Sequence, residues 1–212
     1  MELPLFPLHV VLFPGMTLPL QVFEPRYREM LDKVLRGDRR FGVIAIRRGA
    51  EVGGPAETFD VGCIAEVTRV QRAPDGTLQL LVEGRARFRI EQRLVDDPYP
   101  RSDVVIVDEA AGAVSGELLA DARSAVRRYL SSVAQIQGSD VVVPSTSDDA
   151  VDTSFILSAA IQVEPPDRQV LLEARDAATR LQLVIALAHR EALLLEAVGP
   201  SVGHPRAPIS LN

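Results

Sequence analysis

Leu3-Pro4-Leu5-Phe6-Pro7-Leu8, Val11-Leu12-Phe13-Pro14-Gly15, Leu18-Pro19-Leu20 and Phe23-Glu24-Pro25-Arg26-Tyr27 open the chain and decide its fold. The run is apolar and β-prone, and prolines interrupt it at short intervals. Proline has no N–H to donate, so it belongs at strand starts, edges and bulges. Residues 2–23 therefore read as two or three short strands, with a corner at Phe13-Pro14-Gly15. Pro25 suits the first position of a helix, where the missing N–H costs nothing. Tyr27, Met30, Leu31, Val34 and Leu35 then mark one apolar helical face to about Arg36. Gly37 is the expected left-handed stop.

Beyond this stretch, Phe41 to Ile46 reads as a buried strand and residues 47–58 as a glycine-rich surface loop. Val61 to Arg72 and Thr77 to Glu83 should form a hairpin. Between them Ala73-Pro74-Asp75-Gly76 carries the residues a tight turn needs. Gly84 interrupts the pattern as a bulge does. Arg85, Arg87 and Arg89 alternate with Ala86, Phe88 and Ile90, which predicts one solvated arginine face. Residues 96–100 break the strand pattern, and Asp103 to Asp108 resumes it.

After Glu109 the period changes to helical. Ser115 is the expected N-cap of a helix carrying Leu118, Ala122, Val126, Leu130 and Val133. A polar loop spans 138–150, and Asp152 is expected to cap a short helix to Ala160. Pro166 opens the next, with Val170, Leu171 and Leu172 buried. The last runs from about Asp176 to Val198, with Leu181, Val184, Ile185, Ala188, Ala192 and Leu195 inward. Strands followed by helices predict an α+β chain. It divides into a β-rich part at 1–110, a helical part at 111–199 and a mobile tail at 200–212.

Composition narrows the function. The net charge of -6 and pI of about 5.2 argue against a general polyanion binder. One cysteine, Cys63, excludes an internal disulfide framework and fits a cytoplasmic protein. No apolar run approaches the roughly 18 residues of a membrane helix, so no membrane partner is expected. The nucleotide-binding patterns G-x-x-x-x-G-K-[ST] and G-x-G-x-x-G are missing. Lys33, the only lysine, lies on a charged helix face that gives no reason for a depressed pKa. His9, His189 and His204 are scattered, and with one Cys they give no zinc-type spacing. Cys63 reads as a small buried hydrophobe. No catalytic residue, metal or cofactor is expected.

The opening motifs resemble the N-terminal, substrate-binding domain of Lon proteases, most of all free-standing bacterial proteins made of that domain alone. Val61-Gly62-Cys63-Ile64-Ala65, Val82-Glu83-Gly84-Arg85-Ala86-Arg87 and Gln169-Val170-Leu171-Leu172-Glu173 followed by Arg180-Leu181 extend the resemblance over about residues 1–197. It implies a PUA-like β-pseudobarrel with one helix, followed by a C-terminal helical bundle. It also implies a non-catalytic polypeptide-binding module for unfolded or extended segments, or an adaptor partnered by an ATP-dependent protease. A weak homodimer is a further expectation. Phe13, Met16, Leu18, Arg26 and Tyr27 are the candidate polypeptide-binding residues. The alternative is an RNA- or nucleotide-binding protein using Arg85, Arg87 and Arg89 as anion-binding residues, although nucleic acid is the less expected partner.

Overall fold

The computed structural model describes residues 1–52, 56–94 and 98–198. The expected tail lies outside them. Seven strands come first: β1 (Glu2–Leu8), β2 (Thr17–Val22), β3 (Arg40–Gly49), β4 (Ala56–Thr58), β5 (Val61–Arg72), β6 (Leu78–Arg93) and β7 (Arg101–Ile106). Helix α1 (Pro25–Val34) sits between β2 and β3. Helices α2 (Gly116–Gln137), α3 (Ala150–Ala160), α4 (Pro165–Glu173) and α5 (Ala177–Val198) follow.

The sheet runs β1-β7-β6-β5-β3-β4, and β1 also pairs with β3. That extra pairing closes a ring, the PUA-like pseudobarrel. It is mainly antiparallel; β1 and β3 are parallel, with Leu5 opposite Gly42 and Leu8 opposite Ala45. β6 is long enough to take two partners on one edge. β2 pairs with its first half, Thr17 opposite Glu83 to Val22 opposite Leu78. β7 pairs with its second half, Phe88 opposite Ile106 to Arg93 opposite Ser102.

Three apolar clusters form among the described residues. The first lies between the barrel and α1, where Tyr27, Met30 and Leu31 meet Leu20, Leu78 and Val82. The second, smaller one holds Leu3, Leu5, Ile44, Ile64, Phe88 and Val104 at the β1-β7 side. The third joins sheet to helices: Val11, Phe13, Ala45 and Val61 pack with Val126, Phe155 and Leu181 among others. Arg87 of β6 crosses the same junction. Its guanidinium binds both Glu109 carboxylate oxygens at 2.6 and 2.7 Å, and donates to the carbonyls of Leu172 and Ala174. Arg180 of α5 donates to Leu171 O and to Ser154 Oγ, and approaches Glu109 at 3.6 Å. Burial, then the neighbouring Arg87 charge, pushes the Arg180 pKa down to about 10.

Local chemistry explains most boundaries. The turn before β6 has Gly76 at φ 83° and an Asp75 carboxylate accepting from the Thr77 N–H. Ser115 caps α2 by accepting from the Leu118 N–H, as expected. Several expectations are corrected. Residues 47–58 are not all loop: β3 extends to Gly49 and pairs with β4. α1 does not stop on a left-handed Gly37. Arg39 takes the positive φ, its N–H donates to Val34 O, and its side chain donates to Val67 O. Asp149, not Asp152, caps α3, accepting from the Asp152 N–H. In α4, Pro165 opens the helix and Val170 is exposed, because the inward positions are taken by Arg168, Gln169, Leu171 and Leu172.

Candidate functional site

The site is built around β2. Gly15, at φ 76°, turns the chain after Phe13. Gly84 of β6 receives the corner: the Gly15 N–H donates to Gly84 O at 2.8 Å, and the Gly84 N–H to Met16 O at 2.9 Å. A Cβ on Gly84 would lie 2.1 Å from the Phe13 carbonyl oxygen, so only glycine admits the approach. One extra β6 residue between Gly84 and Arg87 forms the expected bulge against β5.

From that anchor β2 runs antiparallel to β6, and hydrogen-bonded pairs alternate with non-bonded ones. Counting from Met16, the backbone groups of Leu18, Leu20 and Val22 face β6. Those of Thr17, Pro19 and Gln21 face the opposite edge. Proline thus stands where its missing donor costs the ladder nothing. Among the described residues no strand pairs with that outer edge.

Two depressions flank β2. One is a cleft of about 460 Å³ between the end of β1 and β2, with Phe6, Leu8, Leu18, Leu20 and Tyr27 among its walls. Phe6 meets Tyr27 edge-on at 4.4 Å. Phe23, at the end of β2, lines it while 53% exposed. Glu24 on the same wall is neutralised by Arg26 at 3.0 Å, and Arg26 stacks 4.6 Å above Tyr27. Glu51 lines the cleft and accepts the His9 N–H. The other depression, about 810 Å³, lies on the outer face of β2, β6 and β5. There Gln21, Gln79 and Gln71 stand in register across the three strands, beside Pro19 and Leu81. Among the described residues Arg69 is the only charged one lining it.

The structure separates the five candidate binding residues. Leu18 and Tyr27 line the cleft, and Arg26 borders it. Phe13 does not: it is fully buried, with the Arg168 guanidinium 4.9 Å from its ring. The corner turns it toward the helices, away from β2. Met16 is half-buried beside it, its Sδ 3.7 Å from Arg168. Phe23, Glu51 and the glutamine row were not expected. Phe23 had a signal: it is an apolar residue in the phase of Thr17, Pro19 and Gln21, all of which point outward. The glutamines had none, because only strand register brings them together.

The arginine face is likewise corrected. Arg87 is 2% exposed and engaged by Glu109 and helix carbonyls, because the helical part covers that portion of β6. Arg85 is exposed but paired with both Glu66 and Glu83. Of the three, Arg89 alone is exposed and without an ion pair among the described residues, so they do not share one solvated face.

The single thiol is withdrawn from solvent. Cys63 is buried and burial pushes its thiol up to about 12. His9, just past β1, and His189 of α5 are both exposed; His204 lies outside the described residues. Among the described residues no group of three or more His, Cys, Asp or Glu is placed to hold a metal, and no helix is long and apolar enough to cross a membrane.

Comparison with known proteins gives a consistent picture. The family model for the ATP-dependent protease La (LON) substrate-binding domain matches residues 2–190. A Lon protease from Roseiflexus castenholzii is 31% identical over 199 residues, 91% of this chain and 24% of that protein. A Lon protease from Cytophaga hutchinsonii is 29% identical over 201 residues, 92% of this chain and 25% of its own. The chain thus spans about a quarter of the length of these relatives. The crystal structure of a Lon N-terminal domain protein from Xanthomonas campestris superimposes with a TM-score of 0.64 at 26% identity, covering 88% of this chain and 98% of that one. The N-terminal domain of the Mycobacterium avium complex Lon protease shares the fold, with a TM-score of 0.59 at 21% identity, over 89% of this chain and 98% of that one.

Proposed function

The chain belongs to the family of LON substrate-binding domains, and from that premise we propose that it is a non-catalytic module that binds unfolded or extended polypeptide. The observation that carries the reading is the apolar cleft beside an unpaired strand edge, with Phe23 exposed at its rim. Folded monomers seldom leave an edge open beside apolar surface without a use for it. A compact protein hides both its apolar side chains and its backbone, so this surface favours segments that have lost their fold. The finer role is that of an adaptor, holding such segments for an ATP-dependent protease.

The reading is tested with a reduced, carboxymethylated model protein and its folded parent. The unfolded form should bind measurably better in a calorimetric titration. Phe23→Ser should weaken that binding about tenfold, as loss of an interface anchor does. Equal binding of both forms, or none, overturns the reading.

A further inference from the structure

Resting on the polypeptide-binding reading, we propose that the bound segment adds to the outer edge of β2 as an extra strand, and that its chemistry is apolar residues flanked by basic ones. Three observations lead there. The first is backbone valence. The outer edge offers N–H groups at Thr17 and Gln21 and carbonyls at Thr17, Pro19 and Gln21, by the alternation anchored at the Gly84–Met16 bond. An extended segment satisfies these groups through its own main chain.

The second is the contrast between the two sides of that edge. Side chains of an added strand alternate. One set enters the apolar cleft walled by Phe6, Leu18 and Tyr27. The other lies beside Pro19 and the row of Gln21, Gln79 and Gln71, a surface with one charge. The third is the charge at the cleft. Glu24 is neutralised by Arg26, whereas Glu51 makes no salt bridge among the described residues. A basic residue flanking the apolar core of a segment meets that carboxylate; an acidic one is repelled.

Pro19 has a defined part in this arrangement. It deletes one donor from the middle of the edge, which weakens indiscriminate pairing with strands of other molecules. Pro19→Ala restores the donor and should tighten the segment about threefold, the worth of one added hydrogen bond.

The test uses the full chain and fluorescent peptides of about ten residues, alternating leucine with threonine and flanked by lysine or by aspartate. Affinity is read by anisotropy. Backbone N-methylation on alternate residues removes the donors of one phase at a time. Methylation of one phase should lower affinity at least tenfold and that of the other leave it nearly unchanged, because one edge of the peptide bonds β2. The lysine-flanked peptide should bind about threefold better than the aspartate-flanked one, and Glu51→Gln should remove the difference. Binding that responds equally, or not at all, to the two methylation patterns overturns strand addition and leaves the polypeptide-binding reading standing. A preference that survives Glu51→Gln overturns the charge assignment. Failure of both unmethylated peptides to bind overturns strand addition together with the reading beneath it.

Discussion

At the residue scale, environment decides what each reactive group does. Cys63 sits in β5 with no exposed surface, and its thiol is held up at about 12 by burial. It should resist Ellman's reagent at pH 8 in the folded protein and react at once in denaturant. The folded pKa lies above the unfolded value of about 9, so the fold keeps a proton that the unfolded chain gives up. The thiol's contribution is intact below pH 9, and stability is lost as pH rises from there toward 12. Cys63→Ala should flatten that alkaline loss; urea midpoints between pH 8 and 10.5 measure it. The burial of Cys63 was legible from Val61, Ile64 and Val67 around it. The burial of Arg87 was not. Its period-two spacing with Arg85 and Arg89 is that of a solvated face, and only the later helices, remote in sequence, turn it into an internal residue. Arg180 was hidden for the same reason: a charged residue on an amphipathic helix reads as outward until the Glu109 carboxylate and helix-end carbonyls are placed opposite it.

At the element scale, the strand pair β2 and β6 carries the site, and Gly84 fixes how they meet. Gly84→Ala puts a methyl carbon 2.1 Å from the Phe13 carbonyl oxygen, a backbone atom that cannot swing aside. The corner must shift, and the cost should be about 2 to 4 kcal/mol in urea unfolding. Gly15→Ala meets no neighbour within 4 Å and should cost only the strain of its positive φ, about 1 kcal/mol. The elements themselves were largely readable, because proline, glycine and apolar period act locally. α1, the Pro74-Gly76 turn and the Ser115 cap follow from neighbouring residues alone. β4 and the outer part of β3 did not, since glycine and charge are what an exposed edge and a loop have in common. The cap of α3 shifted from Asp152 to Asp149 because a run of acidic residues offers several equivalent acceptors. Half of the binding face was readable: Leu18 and Tyr27 from their apolar stretch, but not the three glutamines. Each is unremarkable in its own strand and becomes a row only through register.

At the scale of the whole molecule, barrel and helices are joined across Glu109, which faces two guanidiniums that are 2% and 0% exposed. Glu109→Gln leaves both cations without their carboxylate and should cost about 3 kcal/mol. Glu196→Gln, which removes the exposed partner of Arg128, should change stability by less than about 1 kcal/mol. Equilibrium unfolding in urea compares the two. If they cost the same, the internal cluster does not hold the parts together. The pseudobarrel imposes a further condition on how the chain is made. β1 leaves the ribosome before the strands it pairs with, and Glu2 pairs with Asp103 and Leu5 with Gly42. The hairpin of β5 and β6 can form while β1 still lacks its antiparallel neighbour. The ring therefore closes only after β7 has emerged, around the earliest made of its strands, and a nascent chain stalled before residue 101 carries β1 with one edge unfilled.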